Sequence, residues 1–172
     1  MRLLFEIDTK DYSPAGKAYI RPSARAIIVR DGKIAMVHSR VYDYYKFPGG
    51  GIEAGESHCD ALIRETAEEV GLLIDPLSIR EYGYVHRVQK SYRAGFDFFI
   101  QDNFYYICNV TEGAAAQNLQ GYEYDEGFEL KFVEATHAIE INLHKDHGPK
   151  DKNMILRESR VLQLLIDDGI AK

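Results

Sequence analysis

Three glutamates crowd one face of a predicted helix in the first half of the chain. Glu65 precedes Glu68 and Glu69 by three and four positions. On a helix of about 3.6 residues per turn, that spacing places the three carboxylates within an arc of roughly 100°. Carboxylates that close repel one another, so the cluster needs an explanation. A solvated surface, a shifted protonation state or a bound cation would each provide one.

A glycine-rich turn comes shortly before this helix, in the run Phe47-Pro48-Gly49-Gly50-Gly51. Glycine lets the backbone approach a ligand closely, and a helix N-terminus favours an anion. The glutamates supply oxygen ligands without competing nitrogen or sulfur, which suits a hard cation such as Mg²⁺. Turn, carboxylates and metal together suit a substrate with bridged phosphates, whose charge the cation would offset.

The helix that carries the glutamates is predicted to begin after Ser57 and to end before Gly71. Ser57 is the predicted N-cap, with Asp60 as its acidic partner three residues on. Gly71 is typical of the left-handed residue that ends a helix. Four residues recur at helical spacing and should form the buried face: Cys59, Ile63, Thr66 and Val70. We expect the three glutamates to lie away from that face.

The rest of the chain must position this helix and turn. Strands are predicted over residues 2–8, 18–29 with a break at Pro22, 34–41, 78–89, 96–110 and 128–133. Helices are predicted over residues 135–143 and 153–167, and a polar surface loop over residues 111–125. An Asp-Gly turn at residues 31–32 predicts a hairpin. This order is typical of an α+β fold in which sheet layers lie between helices.

Length and composition narrow the function classes. The 172 residues suit a single domain, and 45% hydrophobic with 28% charged residues is ordinary for a globular protein. A net charge of −6 argues against non-specific binding to nucleic acid or an anionic membrane. With no apolar stretch long enough for a membrane helix and no signal-peptide core, we expect a cytoplasmic location. Cys59 and Cys108 are interpreted as buried free thiols.

A longer pattern surrounds the glutamates. Gly50 is followed after five residues by Glu56, and after seven more by the run Arg64-Glu65-Thr66-Ala67-Glu68-Glu69-Val70-Gly71-Leu72. This pattern closely resembles the signature box of the Nudix (MutT-like) hydrolases. Thr66 departs from it, because the family usually has a bulky aliphatic residue there; we expect a small packing change and no loss of activity. The resemblance implies one domain over residues 1–172, an α/β/α sandwich with a mixed sheet flanked by helices.

The resemblance also implies a reaction and a site. The reaction is attack by water on a pyrophosphate linkage, with Mg²⁺ as cofactor and Mn²⁺ as its substitute. The implied metal ligands are Glu56, Glu65, Glu68, Glu69 and the carbonyl of Gly49. Arg64 would orient a neighbouring glutamate by charge-assisted hydrogen bonds. The general base would be a box glutamate such as Glu65 or a residue from a later loop, where Glu126 is our candidate and Glu123 and Asp125 are rivals.

The sequence indicates the substrate less specifically than it indicates the reaction. The family marks of ADP-ribose pyrophosphatases, dinucleoside polyphosphate hydrolases and coenzyme A hydrolases are absent, so we expect a nucleoside diphosphate linked to some moiety X. This class includes nucleoside triphosphates, oxidised nucleotides and nucleotide sugars. Candidate substrate contacts are Arg40, Tyr45 and Arg87, although sheet packing or surface charge would also explain them.

The sequence is also compatible with other functions and with a dimer. A Nudix domain that only senses a ligand is the main competing function, but the glutamates of the box are intact. An isomerase with a similar fold would need additional cysteine and histidine ligands that the sequence does not place. Many proteins of this family are dimers, so a homodimer is compatible with the resemblance.

Overall fold

The computed structural model describes residues 1–172, which form eleven strands, four α-helices and one short 3₁₀ helix, Pro76–Ser78. The strands are β1 (Leu3–Asp8), β2 (Ala18–Ile20), β3 (Ser23–Ile27), β4 (Val29–Arg30), β5 (Lys33–Ser39), β6 (Tyr44–Lys46), β7 (Leu72–Ile74), β8 (Arg80–Lys90), β9 (Phe98–Ile107), β10 (Val110–Ala114) and β11 (Phe128–Val133). The helices are α1 (His58–Val70), α2 (Tyr122–Asp125), α3 (Ala135–His144) and α4 (Lys152–Asp167). None of the helices has the length and apolar character needed to cross a membrane.

Most of the strands belong to two sheets, one of which is mixed. In the five-stranded sheet, β8 and β9 pair antiparallel at the centre, while β1 runs parallel to β8 and both β2 and β3 run parallel to β9. In the second sheet, β5 pairs antiparallel with β4, β6 and β11. The break at Pro22 separates β2 from β3, as predicted, because proline cannot donate a ladder hydrogen bond.

Helices cover both faces of these sheets. On one side, Leu62 and Val70 of α1 pack in an apolar cluster with Ala24 and Tyr106. On the other side, residues of α3 and α4 pack in a second cluster, in which Leu162 of α4 joins strand residues of both sheets. The predicted α/β/α sandwich is therefore confirmed.

The predicted loop at residues 111–125 is wrong in two places. Residues 110–114 form β10, which pairs antiparallel with β7, and Tyr122–Asp125 form the short helix α2. The partner strand β7 lies about 40 residues earlier in the chain (Val110 is opposite Ile74). A polar, glycine-containing strand whose pairing comes from so distant a segment has little local signal.

The buried face of α1 also differs from the prediction. Ser57 and Gly71 cap the helix as expected, since the Ser57 side chain accepts the N–H of Asp60 and Gly71 has φ 70°. The buried residues are Ala61, Leu62, Thr66, Glu69 and Val70. Cys59 is exposed rather than buried. The buried face of α1 therefore includes Glu69. This carboxylate can be buried because it pairs with Lys46.

Candidate active site

Arg64 holds the acidic cluster together from its position on α1. Its Nε and Nη2 donate to the two carboxylate oxygens of Glu56 at 2.8 and 2.9 Å. Its Nη1 donates to Glu65 at 2.8 Å and to Glu68 at 3.3 Å, and Nη2 reaches the Gly51 carbonyl at 3.2 Å. A planar guanidinium with five donors can make all these contacts at once. The hydrogen bonds from Arg64, with one from the Glu53 N–H, lower the pKa of Glu56 to about 2.

The glycine turn packs directly against this cluster. Gly49 has φ 123°, and a Cβ there would lie 2.1 Å from the Ala24 carbonyl oxygen. A Cβ on Gly50 would lie 2.1 Å from Oε2 of Glu65. Any larger residue at either position would separate the turn from β3 or from α1. The two glycines therefore allow the backbone to lie within reach of the Glu65 carboxylate.

Glu69 faces inward from the same helix. Its side chain accepts from Nζ of Lys46 at 2.5 Å and from the N–H of Gly49 at 3.0 Å, and the residue is only 1% exposed. Burial lowers the pKa of Lys46, but the charge of Glu69 more than offsets that effect and the net shift is upward. Lys46 therefore keeps its charge, and its salt bridge with Glu69 joins α1 to β6.

Glu65 and Glu68 of the cluster face a small open cavity of about 240 Å³. Its lining consists of Glu53, Arg64, Glu65, Glu68, Asn118, Gln120 and Glu123. All of its potential metal donors are oxygen atoms, the set that Mg²⁺ prefers. No three His, Cys, Asp or Glu side chains are arranged around a single point, because Arg64 and Lys46 hold box carboxylates in the structure. The donor chemistry fits Mg²⁺, while the final ligand geometry would require these side chains to turn.

Glu126 lies in a different environment from the glutamate cluster. It is 3% exposed, and its carboxylate accepts from Ser39 at 3.2 Å, from the Tyr44 hydroxyl at 2.8 Å and from Lys150. Burial and the negative charge of Glu126 raise the pKa of Tyr44. Glu123, by contrast, lines the cavity of the cluster, and burial together with the charge of Glu69 raises its pKa. Of the two loop glutamates, the structure brings Glu123 to the cluster.

A larger cavity of about 350 Å³ lies beside the pair formed by Lys46 and Glu69. Six basic side chains line it: Arg21, Arg25, Lys46, Arg87, Lys150 and Arg157. Asp151 is the single carboxylate in the lining, which also includes Tyr44, Tyr92, Phe99 and Tyr122. Such a cavity can bind an anionic ligand with a flat or apolar part.

The structure separates the three predicted substrate contacts. Arg87 lines the larger cavity. Arg40 is exposed and packs against Gly127 instead. Tyr45 belongs to the core cluster and stacks on His38 with ring centroids 4.7 Å apart. Strand alternation explains this result, because the neighbouring Tyr44 points to the opposite side and lines the cavity.

Comparison with known proteins agrees with this architecture. The family model described as NUDIX domain matches residues 20–157, which is more than half of the chain. The chain belongs to the Nudix family. A MutT protein from Bacillus halodurans shares the fold with TM-score 0.58 and 20% identity, over 83% of this chain and 82% of that one. A NUDIX hydrolase from Nitrosomonas europaea has TM-score 0.58 and 17% identity over 88% of each chain.

One curated relative of this Nudix domain has a more specific name. A protein named RNA pyrophosphohydrolase from Ruthia magnifica subsp. Calyptogena magnifica is 38% identical over 60 residues. The match covers 34% of each protein, so the chain spans only about a third of that relative's length.

The sequence alone missed two residues that the structure places at the candidate site. Lys46 directly precedes the Phe-Pro-Gly-Gly run, and a lysine inside an apolar strand beside a ligand turn is a usable signal. Arg25 donates to the Gly49 carbonyl from β3, and only the pairing of β3 with the turn brings the two residues together. Backbone hydrogen bonds from Ala24 to Gly50 at 3.0 Å and from Ala26 to Pro48 at 2.8 Å fix that pairing.

Proposed function

We propose that this protein hydrolyses a pyrophosphate linkage in a nucleoside diphosphate bound to a moiety X, with Mg²⁺ as cofactor. One observation carries the proposal: an all-oxygen carboxylate cluster and a glycine turn lie beside a cavity lined by six basic side chains. Neither half of this arrangement suffices alone. The carboxylates would bind the cation, and the basic cavity would bind the anionic substrate whose phosphates the cation contacts.

The residues of the cluster have distinct proposed roles. Glu56, Glu65, Glu68, Glu69 and the Gly49 carbonyl would hold Mg²⁺, and Mn²⁺ could replace it. The bound ion would offset phosphate charge and lower the pKa of an attacking water.

Arg64 and Lys46 act through the carboxylates. Arg64 orients Glu56, Glu65 and Glu68 through the hydrogen bonds described above. Lys46 holds Glu69 at the edge between the cluster and the larger cavity. Arg25 holds the carbonyl of Gly49. These contacts hold α1 and the glycine turn beside each other before a ligand arrives, so that only the carboxylate side chains need to turn.

The general base is proposed among three glutamates. Glu65 and Glu123 both line the open cavity, where a water could reach them. Glu126 was the candidate from sequence, but its carboxylate is buried and paired with Lys150. It could act only after Lys150 moved away. We therefore favour Glu123 as the loop residue that accepts the proton, with Glu126 fixing Tyr44 and Lys150 at the cavity wall.

The experiment is hydrolysis of a panel with Mg²⁺ and with Mn²⁺. The panel holds nucleotide sugars, nucleoside triphosphates, oxidised nucleotides and dinucleoside polyphosphates, and the Glu65→Gln variant is the matched control. We expect release of a nucleotide from at least one class, abolished by EDTA and by the variant. Binding of a panel member without turnover under either metal would instead support a ligand sensor and overturn the enzyme proposal.

A further inference from the structure

The larger cavity carries more positive charge than its own carboxylates neutralise. Lys46, Lys150 and Arg157 each pair with one glutamate behind the wall: Glu69, Glu126 and Glu158, respectively. Asp151 pairs with Arg87. Arg21 and Arg25 make no salt bridge, so two positive charges remain without a carboxylate partner in a cavity of about 350 Å³. Bringing cations this close costs free energy unless an anion joins them.

Two buried guanidinium groups in the wall also have a free donor. Nε of Arg25 and Nε of Arg87 are buried and make no hydrogen bond. Arg87 is only 4% exposed; its Nη1 donates to Asp151 at 2.9 Å, and its Cζ lies 5.1 Å from the ring centroid of Phe99. A buried donor left without an acceptor is costly, and guanidinium matches phosphate and carboxylate groups best.

The two arginines lie at different distances from the glycine turn. The turn pairs with β3, which carries Arg25; β3 pairs with β9, and β9 pairs with β8, which carries Arg87. The backbone of Arg87 is therefore three strand positions from the turn, roughly 14 Å at ~4.8 Å per strand. Arg25, which contacts Gly49 itself, is placed for the linkage at the turn. Arg25 and Arg87 therefore enter the cavity from strands on opposite sides of β9, with Arg25 beside the turn and Arg87 farther from it.

Asp151 neutralises Arg87 only in part. One of its oxygens accepts the N–H groups of Asn153 and Met154 as the cap of α4. Its other oxygen is shared between Arg87 and the side-chain amide of Gln89, at 2.9 and 3.3 Å. Burial lowers the pKa of Arg87 to about 10, so the group keeps its charge near neutral pH.

We infer that the cavity binds a second anionic group of the substrate, a phosphate monoester or a carboxylate on one of the two moieties that the pyrophosphate joins, with Arg87 as its main contact. This inference rests on the proposed function for the position of the scissile linkage. It narrows the substrate class to pyrophosphates in which a spacer connects the pyrophosphate to a second anionic group. Tyr92 and Phe99, which also line the cavity, would pack against that spacer.

Matched substrates test the inference directly. NADP⁺ differs from NAD⁺ by one phosphate monoester, and UDP-glucuronate differs from UDP-glucose by one carboxylate. We expect kcat/KM for the charged member of at least one pair to be higher by about tenfold or more, the size expected for one charge-assisted hydrogen bond. The pair that shows the preference identifies the anion as a phosphate or a carboxylate.

Variants then assign the preference to Arg87. Arg87→Gln should bring the ratio close to one, and Asp151→Asn, which keeps a capping side chain, should raise the ratio by freeing Arg87. Arg160→Gln is the matched control, because Arg160 is an exposed arginine that lies over the ring of Phe5, and it should leave the ratio unchanged. Thermal unfolding of each variant verifies that the protein is folded.

A binding measurement separates this inference from the proposed function. Adenosine 2′,5′-bisphosphate should bind more tightly than AMP in isothermal titration calorimetry without metal, and Arg87→Gln should abolish the difference. Absence of turnover with a retained binding preference would reject the enzyme proposal and support the anion site. Turnover without a preference in either substrate pair, together with equal binding of the two adenosine nucleotides, would overturn the inference.

Discussion

Lys46 Nζ lies 2.5 Å from Oε1 of Glu69, and both side chains are almost completely buried. The pair joins the last residue of β6 to the inner face of α1, immediately before the glycine turn. The other Glu69 oxygen accepts the Gly49 N–H at 3.0 Å. One box glutamate is therefore both a candidate metal ligand and part of the folded interior. Its loss should affect activity and stability together.

Glu69→Gln tests this double role. We expect turnover to fall by orders of magnitude and the free energy of unfolding to fall by about 3 kcal/mol, because the variant leaves Lys46 buried without a counter-charge. Chemical denaturation and the hydrolysis assay measure the two effects. Glu68→Gln is the stability control: its side chain is 34% exposed, so its loss should cost less than about 1 kcal/mol.

The double variant Lys46→Met/Glu69→Gln separates the two effects. Removing both charges should restore most of the lost stability, since an apolar chain replaces the buried ion pair. Activity should not return. If Glu69→Gln alone were as stable as the parent protein, the buried pair would contribute nothing to folding.

Glu56 should make metal-free stability depend on acid pH. Arg64 lowers the pKa of Glu56 from its ordinary value of 4.5 to about 2 in the folded protein. The stabilisation is therefore fully present above pH 4.5 and is lost as the pH falls toward about 2. Glu56→Gln should be less stable than the parent protein at pH 7, and the difference should shrink through that window. Denaturation in EDTA at several pH values measures it; a constant difference would contradict the assignment.

Arg64→Lys should disturb the arrangement of the carboxylates while keeping a positive charge among them. Lysine cannot donate to Glu56, Glu65 and Glu68 in one planar arrangement. We expect Mg²⁺-dependent kcat or metal affinity to fall by about 10- to 100-fold, the range seen for residues that orient metal ligands. Arg160→Lys, on the exposed side of α4, should change neither quantity. An Arg64→Lys variant with parental kinetics would show that charge alone is required.

The two loop glutamates can be distinguished by parallel substitutions. Glu123→Gln should lower kcat by about 100-fold or more if it accepts the proton. Glu126→Gln should mainly lower stability, because Lys150 would lose its buried partner. Asp125→Asn, at an exposed position between them, serves as the control and should have little effect. The reverse order of Glu123 and Glu126 in kcat would restore Glu126 as the base.

The caps of α1 were predictable from sequence because Ser57 and Gly71 act on backbone groups within a few residues. The strands with strong apolar runs were predictable for a similar local reason. The pairing of β10 with β7 was not, since its partner lies far away in sequence. The orientation of Tyr45 was missed because a shift of one residue along a strand reverses which side chain faces the cavity.

The family pattern, the helix with its caps and the all-oxygen donor set could all be recognised in the amino-acid sequence. These features depend on residue type and short spacing. The folded chain was needed to show that Glu69 is buried and that Glu123 rather than Glu126 joins the cluster. It was also needed to show that basic residues from β3, β6, β8 and α4 form one cavity. Burial and charge compensation depend on partners such as Lys46 and Lys150, which long-range packing brings into contact.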